Sequence, residues 1–199
     1  MKYIVLNIQT QKTYSEIADG NRPWLLKMST AVTYEFNNDS YKFWTYINQK
    51  ELLEYLNKNT VIGFNSMTFE SPILLGEKHK LDTNGNSSNG DYSWINYDIL
   101  IEIRKRLYRT VDKPIKETFD AHKKNFSPNQ KGVYSLNGIT SATIGKWNDK
   151  IDCVELYKQK KIIELFNFNL NVTRNIKQLY DFIKKYKYII NGNFDIIKF

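Results

Sequence analysis

The sequence predicts an α/β fold in which a mixed β-sheet carries helices on both faces. Residues 3–10 form an apolar run that is typical of a buried strand. Residues 24–36 and 41–47 are rich in β-branched and aromatic residues and flank the turn cluster 37–40, which is typical of an antiparallel hairpin. A helix and a short apolar strand at residues 60–65 follow. This order favours a parallel strand beside the first one and helices over both sheet faces.

Two short helices are predicted around the fourth strand. The first spans residues 49–56 with Asn48 as its cap. Its apolar face consists of Leu52, Leu53 and Leu56. The second spans residues 69–75 and admits Pro72 near its start. Residues 78–93, which include a low-complexity polar segment, predict a flexible loop within a single domain of residues 1–199.

The second half of the chain is mostly helical in its periodicity. A helix begins at Asn96 or Asp98 and extends through residue 108. Its inward residues are predicted to be Leu100, Ile103 and Leu107. Residues 110–132 are polar and basic and predict irregular structure, and residues 134–140 lead into a short helix. Two helices follow over residues 156–186. Their buried stripe is predicted to contain Leu165, Asn169, Val172, Thr173, Ile176, Leu179, Tyr180 and Ile183.

The composition favours a nucleic-acid partner. The chain of 199 residues has 29 Lys and Arg against 21 Asp and Glu, which gives a net charge of +8. An AT-rich genome would also produce many Lys residues on an ordinary solvated surface. The single Cys153 excludes an intrachain disulfide, and two His residues make a zinc site implausible. No apolar run approaches the roughly 20 residues of a membrane helix, so we expect a soluble cytoplasmic protein.

The chemistry is expected at the end of the first strand. Asn7 and Gln9 alternate along this strand, so their side chains emerge on one face at its carboxyl end. An α/β sheet places its binding sites at that edge. An Asp and a Glu at these two positions would be typical of a metal-binding strand, whereas the amides carry no charge.

Several segments resemble, in the same order, the motifs of the DnaQ-like 3′–5′ exonucleases. They are Asn7-Ile8-Gln9-Thr10 for Asp-x-Glu-Thr, residues 65–72 for Asn-x-x-x-Phe-Asp-x-Pro, Asp98-Ile99-Leu100, residues 134–145 with 154–159, and residues 165–173 for Tyr-x-x-x-Asp-hydrophobic-x-x-Thr. The resemblance covers nearly the whole chain. It implies a ribonuclease-H-like fold and a reaction that uses two divalent metal ions.

The resemblance also implies that most of the acidic metal ligands are replaced. Its catalytic positions correspond to Asn7, Gln9, Glu70, Leu165 and Asn169. Only Glu70 keeps a carboxylate, and Leu165 lacks the hydroxyl of the family's Tyr. Asp98 lies off the motif, so Glu70 and Asp98 are weak candidates for Mg²⁺ or Mn²⁺, and we expect no cofactor unless activity remains.

Each of these positions also has an ordinary structural interpretation. Asn7 and Gln9 suit a strand end, where each could bond one backbone group. Asn169 and Thr173 share a helical face and could bond each other or the strand end. Leu165 is typical of a core, and Glu70 suits a helix start. The three amides at matching motif positions favour a former active site over these alternatives.

Nucleic-acid binding is predicted for the basic clusters and one motif amide. These residues are Asn65, Arg104, Lys105, Arg106, Arg109, Lys123, Lys124, Lys158, Lys160 and Lys161. Trp44, Trp94 or Trp147 could stack on bases, although each aromatic residue is also a candidate for the core.

The sequence is therefore consistent with three different functions. The first is a catalytically degenerate exonuclease-like protein that binds single strands or ends in replication, repair or transcription. The second is an active exonuclease whose altered or deliberately inactivated site uses Glu70 and Asp98. The third is a protein-interaction scaffold in a viral or phage assembly, with a partner protein instead of nucleic acid.

Overall fold

A computed structural model of the chain describes residues 1–20, 22–125, 132–147 and 150–199. Within these residues the main sheet has seven strands, which are β1 (Tyr3–Thr10), β2 (Met28–Glu35), β3 (Ser40–Thr45), β4 (Thr60–Gly63), β5 (Lys80–Leu81), β6 (Ser87–Ser88) and β7 (Ser93–Asp98). Their order in the sheet is β3-β2-β1-β4-β7-β6-β5. β1 is antiparallel to β2 and parallel to β4, which is parallel to β7. The predicted α/β fold with a mixed sheet is confirmed, and it is compatible with a ribonuclease-H-like arrangement.

Seven α-helices and a small hairpin complete the described part of the chain. The helices are α1 (Gln49–Leu56), α2 (Glu70–Leu75), α3 (Ile99–Leu107), α4 (Ile115–Asn125), α5 (Leu136–Ile144), α6 (Cys153–Lys158) and α7 (Ile162–Tyr186). β8 (Tyr188–Ile190) and β9 (Ile196–Lys198) form the hairpin. No helix among the described residues is both long and apolar enough to cross a membrane.

The sheet separates two hydrophobic cores, because alternate residues of β1 point to opposite faces. Ile4, Leu6 and Ile8 pack with residues of α1 and α2. Val5 packs on the other face with residues of α3, α5 and α7. The predicted apolar stripe of α7 is confirmed, since all of its members from Leu165 to Ile183 are buried. The face that carries Val5 also carries Asn7 and Gln9 of β1.

Both ends of the predicted hairpin differ from the sequence pattern. The residues Trp24–Leu26 belong to a 3-10 helix that begins at Pro23, so β2 begins only at Met28. Proline fixes φ and lacks an N–H, which suits a helical start and not a strand. At the other end, Tyr46–Asn48 forms a second 3-10 helix. The Asn48 Oδ1 accepts from the backbone N–H of Thr45 at 2.8 Å, so Asn48 closes this turn and makes no side-chain cap on α1.

The segment predicted to be a flexible loop at 78–93 contains β5, β6 and the start of β7. The Asp82 carboxylate accepts from the backbone N–H groups of Asn84 and Asn86, which shapes the turn between β5 and β6. The buried Asn96 side chain then holds this turn, because its Nδ2 donates to the Gly85 carbonyl and to Ser87 Oγ. The Asn96 contacts come from a residue 9 to 11 positions further along the chain, so the composition of the turn itself does not reveal them.

Of the two residues predicted to cap the helix after this segment, the structure uses the second. Asn96 lies within β7, and Asp98 is the N-cap of α3. Leu107 is predicted to point inward but is 38% exposed. The last buried residue of α3 is Ile103, one turn earlier.

The prediction of irregular structure over 110–132 is wrong for residues 115–125, which form α4. Only Ile115 and Thr118 of α4 are buried, so the helix has a narrow apolar face that is weak in the sequence. Residues 126–131 of that prediction lie outside the described residues.

Candidate functional site

The structure brings together two of the predicted motif positions, Asn7 of β1 and Asn169 of α7. The Asn7 Nδ2 donates to Asn169 Oδ1 at 2.5 Å, and the two residues are 162 positions apart in the chain. The Asn169 Nδ2 lies 3.4 Å from Thr30 Oγ1 on β2. Asn169 is fully buried and Asn7 is nearly so. One hydrogen bond therefore joins the two amides in a neutral, buried pair where the resemblance implies two carboxylates.

The neighbours of Asn169 along α7 have structural roles. Thr173 Oγ1 donates to the Asn169 carbonyl at 2.8 Å, one turn back along the helix. Leu165 is fully buried in the core and exposes no polar atom to the site. The ordinary interpretations of these two residues are confirmed. No hydroxyl group stands at Leu165, so this position offers nothing that could orient an attacking water.

Gln9 lines an open groove beside the amide pair, with a volume of about 820 Å³. β1 has a register irregularity between Gln9 and Thr10, and such bulges commonly border functional sites. The walls come from the starts of α5 and α6, from the residues before α6 and from α7. The lining residues are Gln9, Thr10, Ser135, Leu136, Asn137, Lys150, Ile151, Asp152, Cys153, Val154, Phe168 and Val172.

Most polar groups of this groove are used within the protein. The Ser135 Oγ accepts from the Gly138 N–H, and the Asp152 Oδ1 accepts from the Glu155 N–H. Burial raises the pKa of Cys153 to about 12, which disfavours the reactive thiolate at neutral pH. Lys150 supplies the positive charge of the lining, Gln9 an amide, and Phe168 an aromatic side chain.

Sequence reasoning missed Lys150, and it placed Phe168 inside a motif segment without predicting that it lines a groove. Lys150 lies between two helices and nothing in its neighbourhood marks it as a binding residue. Phe168 precedes the motif residue Asn169, but the periodicity of α7 marks the buried stripe and not the side that borders the groove.

Glu70, the carboxylate that the motif keeps, is buried and does not line the groove. It is only 3% exposed, and its Oε2 has no hydrogen-bond partner. Burial, together with a smaller effect of the nearby Asp98, raises the pKa of Glu70 to about 8. A carboxyl group with this pKa is largely protonated at neutral pH and is a poor ligand for a hard cation.

Asp98 is occupied by the backbone. Its Oδ1 accepts from the N–H groups of Asn65, Leu100 and Ile101, and its Oδ2 accepts from the N–H of Met67. Burial raises the pKa of Asp98 even though these donors oppose the shift. Asp98 therefore caps α3 and fixes the turn before α2. Asn65 takes part in this turn with a left-handed φ of 67°, and its Oδ1 accepts from Thr68 Oγ1.

These donors do not fit a pair of divalent metal ions. Among the described residues, no group of three or more His, Cys, Asp and Glu side chains is placed to hold a metal ion. The amides of Asn7 and Asn169 bond each other, and Asp98 already accepts from four backbone N–H groups. No hydrolytic step through two metal ions can be derived from this arrangement.

The predicted basic residues fall into two groups, and ion pairs neutralise some of them. On α3, Lys105 and Arg106 both pair with Glu102, at 2.7 and 2.8 Å. At the end of α6, Lys158 pairs with Glu16 at 2.5 Å. Arg104 is partly buried beside Asp98, and burial lowers its pKa. The remaining predicted cations are exposed and form no ion pair with a described residue; they are Arg109, Lys123, Lys124, Lys160 and Lys161.

The three tryptophans proposed for stacking have different environments. Trp94 is 2% exposed and belongs to the core, so its predicted role in stacking is wrong. Trp44 is half-buried, donates from Nε1 to Thr33 Oγ1 and packs against Tyr55. Trp147 is 66% exposed, and it alone of the three is open to a base.

Comparison with known proteins does not establish a family. No family model matches the chain, and no curated protein matches it. Among solved structures, the chain is similar to the family B DNA polymerase from the hyperthermophilic archaeon Pyrobaculum calidifontis, with 12% identity and a TM-score of 0.40. The match covers 88% of this chain and 24% of the polymerase chain. A similarity this distant does not identify a shared function, and membership of the DnaQ-like exonucleases remains a prediction.

Proposed function

We propose that the protein binds single-stranded nucleic acid in the groove beside Gln9 and does not hydrolyse it. The observation that carries this proposal is the Asn7–Asn169 pair, which is neutral, buried and joined by a hydrogen bond. Two carboxylates at this place would repel phosphate unless metal ions neutralised them. Two amides leave the groove open to a phosphate without a metal.

The lining of the groove is chemically suited to an unpaired nucleotide. Phe168 offers an aromatic surface, Gln9 an amide that can bond a base edge, and Lys150 a charge for a phosphate. Lys160 and Lys161 are exposed at the junction of α6 and α7, which places further positive charge on the elements that form the groove. We propose a role in replication, repair or transcription on the same basis.

Fluorescence anisotropy with a labelled single-stranded oligonucleotide tests this site. Lys150→Glu should weaken binding by about threefold to tenfold at low salt, because it replaces a phosphate contact with a repulsive charge. Lys78→Glu is the matched control, since Lys78 is exposed, lies outside the groove and undergoes the same change of charge. Equal weakening by the two variants would show that only net charge matters and would contradict the proposed groove.

A gel assay with Mg²⁺ or Mn²⁺ separates binding from cutting. We expect no shortening of an end-labelled strand. Metal-dependent shortening that disappears in Glu70→Gln would establish the alternative, an exonuclease with an altered site. Absence of both shortening and salt-dependent binding would favour the third function, a scaffold for a protein partner.

A further inference from the structure

The two edges of the main sheet are built differently. At one edge, β5 has only two residues, which is one way in which proteins protect a sheet from further pairing. At the other edge, β3 has six residues and pairs with β2 in an unbroken register. The residues of β3 include no proline and no bulge. Its outer edge therefore presents a regular row of backbone donors and acceptors.

Apolar side chains are exposed along the β3 edge and beyond its end. Phe43 is 48% exposed and meets Phe166 of α7 edge-to-face at 5.3 Å between ring centroids. Tyr46 and Ile47, directly after β3, are 50% and 78% exposed. Tyr46 contacts Tyr157 of α6. An open strand edge that is bordered by exposed apolar side chains is typical of a surface that pairs with another strand.

We propose that β3 pairs with β3 of a second copy of this chain, in an antiparallel register centred on Phe43. The sheets of two copies would join into one continuous sheet about a two-fold axis. Such an interface must be self-complementary, because the same residues meet from both sides. The sequence of β3 meets this condition.

The charge of Lys42 favours this register over one centred on Lys42 itself. Lys42 and Trp44 point to the α1 side of the sheet, where the Lys42 Nζ lies 4.1 Å from the centroid of the Tyr55 ring and Trp44 packs on the same ring. Centred on Phe43, the pairing sets Lys42 opposite Trp44 of the other copy twice, which adds cation–π contacts. Centred on Lys42, it would set two lysines directly opposite each other, which is unfavourable.

The net charge of the chain gives this dimer a salt dependence. Each copy carries a charge of +8, so two copies repel each other at low ionic strength. Salt should therefore strengthen dimerisation, whereas salt weakens binding to nucleic acid. The opposite trends separate this proposal from the proposed function, and either one can fail without the other.

Sedimentation velocity tests the dimer over about a hundredfold range of protein concentration. We expect a concentration-dependent species of twice 23.6 kDa that increases with salt. Phe43→Glu places two like charges opposite each other at the centre and should weaken the dimer by about tenfold or more. Phe194→Glu is the matched control, because Phe194 is 78% exposed in the β8–β9 hairpin and undergoes the same change. Melting curves verify that both variants fold.

Cysteine cross-linking in a Cys153→Ser background tests the register itself. Cα atoms of directly opposite residues lie about 4.5–5.5 Å apart, within the range of a disulfide. Phe43→Cys should therefore form a disulfide-linked dimer under mild oxidation. Lys42→Cys should not, because its two copies would be separated by roughly two further residues along the strands. A monomer at every concentration, a dimer unaffected by Phe43→Glu, or faster cross-linking at position 42 would each overturn the proposal.

Discussion

The described part of the chain contains two pairs of buried polar side chains, and the two pairs differ in how their polar atoms are hydrogen-bonded. Asn7 and Asn169 form a neutral amide pair in which a donor meets an acceptor. Glu70 and Asp98 form a pair of neighbouring carboxyl groups in which Asp98 accepts from four backbone N–H groups. Glu70 leaves its Oε2 without a partner. Both pairs are almost fully excluded from water.

The difference shows where this chain tolerates buried charge. The amide pair needs no counter-ion and no solvent, so α7 can pack closely against β1 and β2. A carboxyl pair is expensive to bury, and here four backbone donors stabilise Asp98 whereas one oxygen of Glu70 has no partner. The acid that the motif retains is consequently a site of potential instability and not an exposed ligand.

Restoring two carboxylates at the amide pair should have the largest effect. In Asn7→Asp/Asn169→Asp, two oxygens replace the donor and acceptor that are 2.5 Å apart, and the buried charges repel each other. We expect a loss of about 3–5 kcal/mol in the free energy of unfolding at pH 8, with a smaller loss at pH 5, where the pair can share a proton. Urea unfolding at the two pH values measures this difference.

Mn²⁺ sharpens the same test. If the double variant recovers a metal site, added Mn²⁺ should restore part of the lost stability, because an ion that binds only the folded state stabilises it. Asn7→Asp alone is the control, since it creates one carboxylate and leaves Asn169 able to rotate and donate to it. A double variant as stable as the parent without metal would contradict the dry, closed geometry of the pair.

Glu70→Gln should stabilise the protein at neutral pH, by an amount on the order of 3 kcal/mol. The pKa of Glu70 is raised from its ordinary 4.5 to about 8 in the folded state. The folded protein therefore keeps its full stability below pH 4.5 and loses it as the pH rises towards about 8. The amide has no proton to lose, so the advantage of Glu70→Gln should grow across that interval. Urea unfolding at several pH values measures it.

Glu35→Gln provides a control of opposite sign. Glu35 is also buried, but the Lys2 Nζ at 2.9 Å and the Tyr55 hydroxyl at 2.7 Å stabilise its carboxylate and lower its pKa. Its contribution is present above its ordinary pKa and is lost as the pH falls through the lowered value. Glu35→Gln should therefore destabilise at pH 7, with a penalty that shrinks in acid. The same pH trend in both variants would contradict the assigned environments.

The sequence predicts the parts of this site that depend on local periodicity. Strand alternation places Asn7 and Gln9 on one face, and the period of α7 places Asn169 with the buried residues. Their direct contact depends on how α7 crosses β1, over 162 positions of sequence, and only the motif resemblance indicated it. The polar Asn96 can be buried because Ser71 of α2 and Ser87 of β6 bond its amide. A polar residue at a buried position interrupts the apolar pattern of a strand, so the sequence does not predict β7. Lys150 carries no local mark of its place in the groove.

Asp98→Asn should have the smallest effect of the three changes to these pairs, a loss of about 1–2 kcal/mol. An asparagine keeps one acceptor oxygen, so it can cap α3 through Leu100, but its NH₂ group would face the N–H of Met67. Burial already raises the pKa of Asp98, and removal of the charge offsets part of the loss.

Asp98→Asn also removes the charge that raises the pKa of Glu70, so the pH dependence assigned to Glu70 should shift to lower pH. Unfolding of Asp98→Asn across the same pH series measures both effects. A pH dependence identical to that of the parent would show that Asp98 carries no charge next to Glu70.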